Sequence, residues 1–351
     1  MSTSFAEPVL AWYARNARDL PWRAPGATPW AVLVSEIMLQ QTPVARVLPE
    51  YLGWMTRWPT PAALAAEPAG EAIRQWGRLG YPRRALRLHE TATILVARYG
   101  GSVPADLDAL RALPGIGSYT AAAVASFAFG QRHAVLDTNV RRVLARLAAG
   151  QPWAGGSSSA SVAERRLAES LLPAEPAVAA RWSVAVMELG ALVCTAASPR
   201  CGDCPVAREC AWLAAGRPAP PAGSAGTAGT AGAAGVAGAT GAAGAAGTAG
   251  AAGSAGLAGA VGAAGASRAA GAVGAGRRRT QKYDGTDRQC RGRLLAVLRG
   301  ASDPVHRADF DAVWAGQAQL ERALDGLVAD GLVDPLPDGH FALPGSAPLS
   351  R

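Results

Sequence analysis

Apolar residues recur at helical spacing from the start of the chain. Residues near 4–17 place Phe5, Val9, Trp12 and Tyr13 on one stripe, and Leu20-Pro21-Trp22-Arg23 closes that segment. Trp30 to Gln41 reads as a buried helix, with Val32, Leu33, Ile37 and Met38 apolar and a single carboxylate, Glu36, set among them. The same periodicity predicts helices over Val44–Arg57, Pro61–Ala66, Ala69–Leu79 and Arg83–Tyr99. It continues over Asp106–Leu113, Tyr119–Phe129, Asn139–Ala149, Val162–Leu172 and Ala179–Val193. Turn residues at Trp58-Pro59, Gly80 and Gly100-Gly101 punctuate the series. No alternation of period two interrupts it, so the first 216 residues read as all-α and the fold class as mainly α.

The pattern then breaks. From Gly223 to Gly265 glycine occupies every third position, mostly with alanine between. The period is collagen-like, but the repeat contains no proline, which argues against a triple helix. Glycine and alanine bury little area against a high ordering entropy, so residues 217–276 read as a disordered linker. Basic residues Arg277, Arg278, Arg279 and Lys282 mark its exit. Residues 277–351 then predict a small module: helices near Thr286–Arg299, Arg307–Trp314 and Gln317–Asp330, and a hairpin around Pro337-Asp338-Gly339. Three helices and a hairpin are winged-helix-like. The third helix carries Glu321, Asp325 and Asp330, which suits packing or a partner better than a DNA groove. The expected domains are thus 1–216, 217–276 and 277–351.

Composition adds bounds. The net charge of +8 suits a polyanionic partner without specifying one. The N-terminus reads as carrying no secretory signal, and no apolar run is long enough to span a bilayer, so a cytoplasmic, nucleoid-associated location with no membrane partner is expected. Four of the five cysteines crowd into one stretch, Cys194-x6-Cys201-x2-Cys204-x5-Cys210. In an intracellular chain such crowding indicates a metal centre before disulfides, and thiolates at this spacing suit zinc or a cubane iron–sulfur cluster. Cys290 stands apart as a packed or idle thiol.

The most informative stretch is Leu113-Pro114-Gly115-Ile116-Gly117-Ser118-Tyr119-Thr120, followed by Leu136-Asp137-Thr138-Asn139-Val140-Arg141-Arg142. Gly115 and Gly117 flank one apolar residue, permitting a tight turn from which a new helix starts. Free N–H groups at a helix start favour an anion such as a phosphate. The turn resembles the helix-hairpin-helix element, which grips a DNA backbone without reading bases; taken alone it fits an ordinary interhelical connection as well.

Together the hairpin, Asp137 and the four cysteines resemble the helix-hairpin-helix DNA glycosylase superfamily from about Ala11 to Leu213, in particular the MutY-type adenine glycosylases. The resemblance implies a two-lobed core and a [4Fe–4S] cluster on Cys194, Cys201, Cys204 and Cys210. A structural zinc knuckle is the alternative. The closest motif match is Ser35-Glu36-Ile37-Met38-Leu39-Gln40-Gln41-Thr42, whose glutamate endonuclease III-type relatives lack. Bifunctional relatives carry a lysine where this chain has Tyr119, so a monofunctional enzyme is implied.

On this resemblance Glu36 protonates the leaving adenine and Asp137 stabilises the oxocarbenium-like sugar, with Tyr119 close to it. Gln41 and Tyr81 wedge into the duplex, Arg23, Trp30 and Glu188 line the adenine pocket, and Asn139 orients Asp137 or a phosphate. Other roles compete residue by residue: a surface carboxylate for Glu36, a helix N-cap for Asp137, core aromatics for Trp22, Trp30 and Tyr81, and an interhelical salt bridge for Glu188. The implied partner is double-stranded DNA bearing adenine opposite 8-oxoguanine or guanine, bound by a monomer. No Nudix-like domain, which many members carry after the cluster, is recognisable here. Alternatives are a thymine/uracil mismatch or endonuclease III-like glycosylase, and a non-catalytic DNA-damage binding protein.

Overall fold

A computed structural model describes residues 5–152, 159–219 and 283–346. The linker expected at 217–276 lies outside the described residues except for 217–219. The first part is helical: α1 (Ala6–Asn16), α2 (Pro29–Met38), α3 (Val44–Arg57), α4 (Pro61–Ala65), α5 (Ala69–Gln75) and α6 (Arg83–Tyr99). It continues with α7 (Leu107–Arg111), α8 (Ser118–Phe129), α9 (Thr138–Leu147), α10 (Val162–Leu171), α11 (Pro176–Leu192) and the short α12 (Ala211–Ala214). Every expected helix of this part is present. The helix expected at Ala69–Leu79 ends at Gln75, and α11 starts three residues earlier than expected, where Pro176 occupies its first turn and the Glu175 carboxylate caps it. Among the described residues no helix is long and apolar enough to cross a membrane.

Two apolar cores form the two lobes. One gathers residues of α2 to α8, with Trp54, Trp58 and Trp76 meeting edge to face at centroid separations of 4.6 and 5.7 Å. The other joins Val9 and Trp12 of α1 to Val143, Leu144, Trp182 and Leu189 of α9 and α11. Because α1 packs on α11, the second lobe is built from two stretches far apart in sequence. Helix α8 packs against α2 and also against α11, so it spans the junction. That junction is where the candidate site lies.

The terminal module comprises α13 (Asp287–Gly300), β1 (Val305–His306), a 3-10 turn (Arg307–Ala312), α14 (Gln317–Ala329), β2 (Asp334–Pro335) and β3 (His340–Ala342). The sheet is antiparallel in the order β1-β3-β2. The hairpin at Pro337-Asp338-Gly339 forms as expected, with Asp338 and Gly339 at φ 57° and 73°. The two-residue strand β1 was not expected, since so short a segment carries no periodicity. The helix expected at Arg307–Trp314 is a 3-10 turn.

The module's buried residues, among them Leu294, Leu298, Phe310 and Leu324, are continuous with the first core. Two arginines interlock the surfaces. Arg74 of α5 donates to the Leu298, Arg299 and Ala301 carbonyls at the end of α13, and Arg299 donates to the Ile73 carbonyl at 2.9 Å. Each cation meets carbonyls that a helix end leaves without intrahelical partners. The Gly70 amide donates to the Pro344 carbonyl at 2.7 Å. Asp330, just after α14, pairs with Arg83 of the first lobe and Arg291 of the module, and Glu321 pairs with Arg307. The acidic residues at these two positions therefore serve packing and docking.

Candidate active site

Glu36 sits in the last turns of α2, whose residues Ala31–Met38 are all buried because the helix passes through the first core. Its side chain is 6% exposed. Burial raises its pKa from 4.5 to about 7, against a hydrogen bond from the Tyr119 hydroxyl and the charge of Arg23, which lower it. The neighbouring Asp137 raises it further. At neutral pH this carboxyl is divided between its two protonation states.

Asp137 comes from the other lobe and is equally buried, at 6% exposure. It is the N-cap of α9: one carboxylate oxygen accepts from the Val140 amide at 2.6 Å, the other from the Asn139 side-chain amide at 2.8 Å. Burial raises its pKa, and the Val140, Asn139 and Arg142 contacts oppose that rise. Its two oxygens are thus tied down by donors that favour the ionised form.

The orientation of Asn139 is itself fixed. Arg142 donates to the Asn139 side-chain oxygen, to the Gly190 carbonyl and to the Cys194 carbonyl, each at 2.7 Å. A Cβ on Gly190 would lie 2.7 Å from the Asn139 Cβ, so only glycine lets α11 approach the start of α9 this closely. Arg142 was part of the sequence motif but had no expected role; a one-dimensional pattern does not reveal which carbonyls a buried guanidinium meets.

Glu188 takes the salt-bridging role that competes with a place in the adenine pocket. It is fully buried, and both oxygens are occupied: Arg18 donates at 2.7 Å to each and Arg23 at 2.9 Å to one. Burial pushes its pKa up, but the arginine hydrogen bonds and charges outweigh this and bring it to about 2. A buried carboxylate needs such partners, and this glutamate ties α11 to the segment that follows α1. Trp30 likewise belongs to the first core, and its indole N–H donates to the Trp58 carbonyl at 3.1 Å. Arg23 does join the site, held by Glu188 and within electrostatic reach of Glu36. Arg18, which sequence reading missed, completes that brace.

The hairpin turns as expected at Gly115, with φ 75°. A side chain there would also collide with Arg87, whose Cδ lies 2.9 Å from the position of a Cβ. Gly117 needs no special φ; it is extended, offers no side-chain cap to α8, and faces open space. The first-turn amides of α8 consequently lack a side-chain cap. Gln41 and Tyr81 are exposed, and both adopt positive φ, 53° and 48°.

A family model described as HhH-GPD superfamily base excision DNA repair protein matches residues 34–171, the span that holds Glu36, the hairpin and Asp137. The adenine DNA glycosylase of Mycobacterium tuberculosis is 47% identical over 341 residues, covering 96% of this chain and 92% of that protein. The chain belongs to the adenine DNA glycosylase family. The family member of Mycolicibacterium smegmatis is 44% identical and covers 100% of this chain and 99% of its own length, so the likeness extends through the terminal module. The solved structure of a thermostable thymine-DNA glycosylase aligns with a TM-score of 0.54 at 29% identity, covering 60% of this chain and 95% of that one.

Beside the site of this glycosylase, Cys194, Cys201, Cys204 and Cys210 line one cavity together with Arg146, Trp212 and Leu213. Arg146 donates to the Thr195 and Ala196 carbonyls at 2.7 and 2.9 Å and stacks 4.6 Å from the Trp212 ring centroid, closing the loop around the four thiols. Among the described residues no three His, Cys, Asp or Glu side chains converge to ligate a single metal ion.

Proposed function

We propose that this chain removes adenine mispaired with 8-oxoguanine or guanine from double-stranded DNA, as a monofunctional glycosylase initiating base-excision repair. The observation that carries the reading is the meeting of Glu36 and Asp137 from different lobes, in environments that divide their protonation duties. As the C1′–N9 bond breaks, its electron pair leaves with adenine, and protonated Glu36 gives its proton to N7. The ionised Asp137, held by Val140 and Asn139, stabilises the positive charge left on the sugar. Water then adds to C1′, and the Glu36 carboxylate accepts the released proton, restoring the acid. Tyr119 supplies no amine for a Schiff base, so strand cleavage is no part of the cycle.

The base must leave the stack to reach a buried pair of carboxyls. Gln41 and Tyr81, exposed and held in left-handed conformations, act as the duplex wedges, and the hairpin at Gly115–Gly117 takes a phosphate on the open amides of α8. The four cysteines line one cavity, and thiolates at their spacing suit a [4Fe–4S] cluster. The cluster would hold the loop whose Cys194 carbonyl accepts from Arg142.

The deciding experiment is single-turnover excision on duplexes carrying A opposite 8-oxoguanine, A opposite G, and T opposite G, scored with and without alkali. Adenine release that requires alkali for strand breakage is expected. Thymine release would transfer the chain to the mismatch-thymine branch, and tight binding without any release would replace the enzyme reading by a binding one.

A further inference from the structure

Arg84, the second residue of α6, is buried, and among the described residues no carboxylate pairs with it. Its hydrogen-bond partners are neutral oxygens from the end of α2 with the loop that follows it, and from the turn before α6. One terminal nitrogen donates to the carbonyls of Ile37 and Met38 at 3.1 and 3.4 Å and to that of Gln40. The other donates to the Thr42 hydroxyl at 3.3 Å and the Gly80 carbonyl at 3.4 Å. The guanidinium carbon lies 5.1 Å from the Tyr81 ring centroid, and the Arg84 amide donates to the Tyr81 carbonyl at 3.0 Å.

These contacts bracket two residues. Gln40 and Thr42 flank Gln41; Gly80 and the Tyr81 carbonyl flank the Tyr81 side chain. Gln41 and Tyr81 are two of the few non-glycine residues at positive φ, a conformation that persists only where surrounding structure enforces it. Both residues are nevertheless exposed, Tyr81 by 53%, and the Tyr81 ring packs only against the guanidinium groups of Arg84 and, at 5.9 Å, Arg288 among the described cations. Arg84 sets a planar fork of charged donors at the end of α2, where orphan carbonyls and the helix dipole favour a cation, and shares the Gly80 carbonyl with the Trp76 indole N–H at 2.9 Å. A lysine has neither the reach nor the planar geometry to hold both loops at once.

We propose that Arg84 is the positioning residue of the DNA interface, holding Gln41 and Tyr81 together as one preformed wedge. This rests on the reading above that these two side chains enter the duplex. Arg84, itself 8% exposed, acts through these two segments.

The test uses the full chain and a duplex carrying a tetrahydrofuran abasic analogue opposite 8-oxoguanine. Arg84→Lys and Arg84→Met are compared with the parent and in a Gln41→Ala/Tyr81→Ala background, each preparation checked by thermal melting and active-site titration. Arg84→Lys is expected to weaken duplex affinity at least tenfold in the parent and less than twofold in the double-alanine background. Hydrogen exchange at the Gln41, Thr42 and Tyr81 amides should accelerate while that within α2 stays unchanged. A loss that multiplies in full in the double-alanine background would make Arg84 a general structural residue and overturn the proposal, as would parent affinity within twofold. If Gln41→Ala/Tyr81→Ala alone leaves affinity intact, the wedge reading fails and takes this proposal with it.

Discussion

The Tyr119 hydroxyl and the Glu36 carboxyl face each other at the junction of the two lobes, and the hydroxyl's hydrogen-bonding influence favours the ionised glutamate. Its removal leaves burial less opposed. Tyr119→Phe is therefore expected to raise the Glu36 pKa above its value of about 7 and to move the alkaline limb of the excision rate to higher pH. A limb that stays in place would show that another group sets it.

Glu36→Gln should abolish most excision, on the order of a 10²- to 10⁴-fold loss of single-turnover rate. It should also stabilise the fold in a pH-dependent way. The folded carboxyl binds its proton up to about pH 7 and the free one only to about 4.5, so the parent loses stability as pH rises through that window. Denaturant titrations should show the variant gaining on the parent from pH 5 to pH 8, by up to about 3 kcal/mol.

Asp137→Asn separates the two duties of that residue. Asparagine remains a good N-cap, so α9 and the melting temperature should be nearly preserved. The negative charge facing the sugar is lost, and excision should fall by several orders of magnitude while mismatch binding is retained. Gel-shift and single-turnover measurements on one preparation check both halves.

Glu188→Gln tests the brace. The glutamate occupies Arg23 and Arg18; without its charge, Arg23 interacts more fully with Glu36 and lowers that pKa. The alkaline limb of excision should shift to lower pH, opposite to the shift in Tyr119→Phe. Stability should drop by roughly 3–5 kcal/mol, because two arginines lose a buried partner. Urea unfolding and a pH–rate profile read the two effects separately.

Arg74→Ala should loosen the terminal module by opening the carbonyls at the end of α13, at a cost of about 1–3 kcal/mol. Limited proteolysis should cut residues 283–346 faster in the variant. Unchanged cleavage would assign the docking to the apolar contacts and to the Gly70–Pro344 bond instead.

Much of this protein was legible in one dimension. Helical periodicity located the helices, because an amphipathic stripe is written in the spacing of Phe5, Val9 and Trp12 as plainly as in their packing. Glu36 stood out as a carboxylate inside an apolar run, and Asp137 as the residue preceding a helix, both properties of local sequence. The spacing of the four cysteines gathered them into one loop, now seen lining one cavity.

Tertiary structure decided the partnerships. That α1 completes the second lobe, that Glu188 faces Arg18 and Arg23, and that Arg142 links Asn139 to Cys194 depend on contacts between segments remote in the chain. A buried charge takes whichever partner the fold brings near it, and no local pattern encodes that choice. The sequence determined which residues can carry chemistry; the packing of the lobes decided which are free to, and which hold others in place.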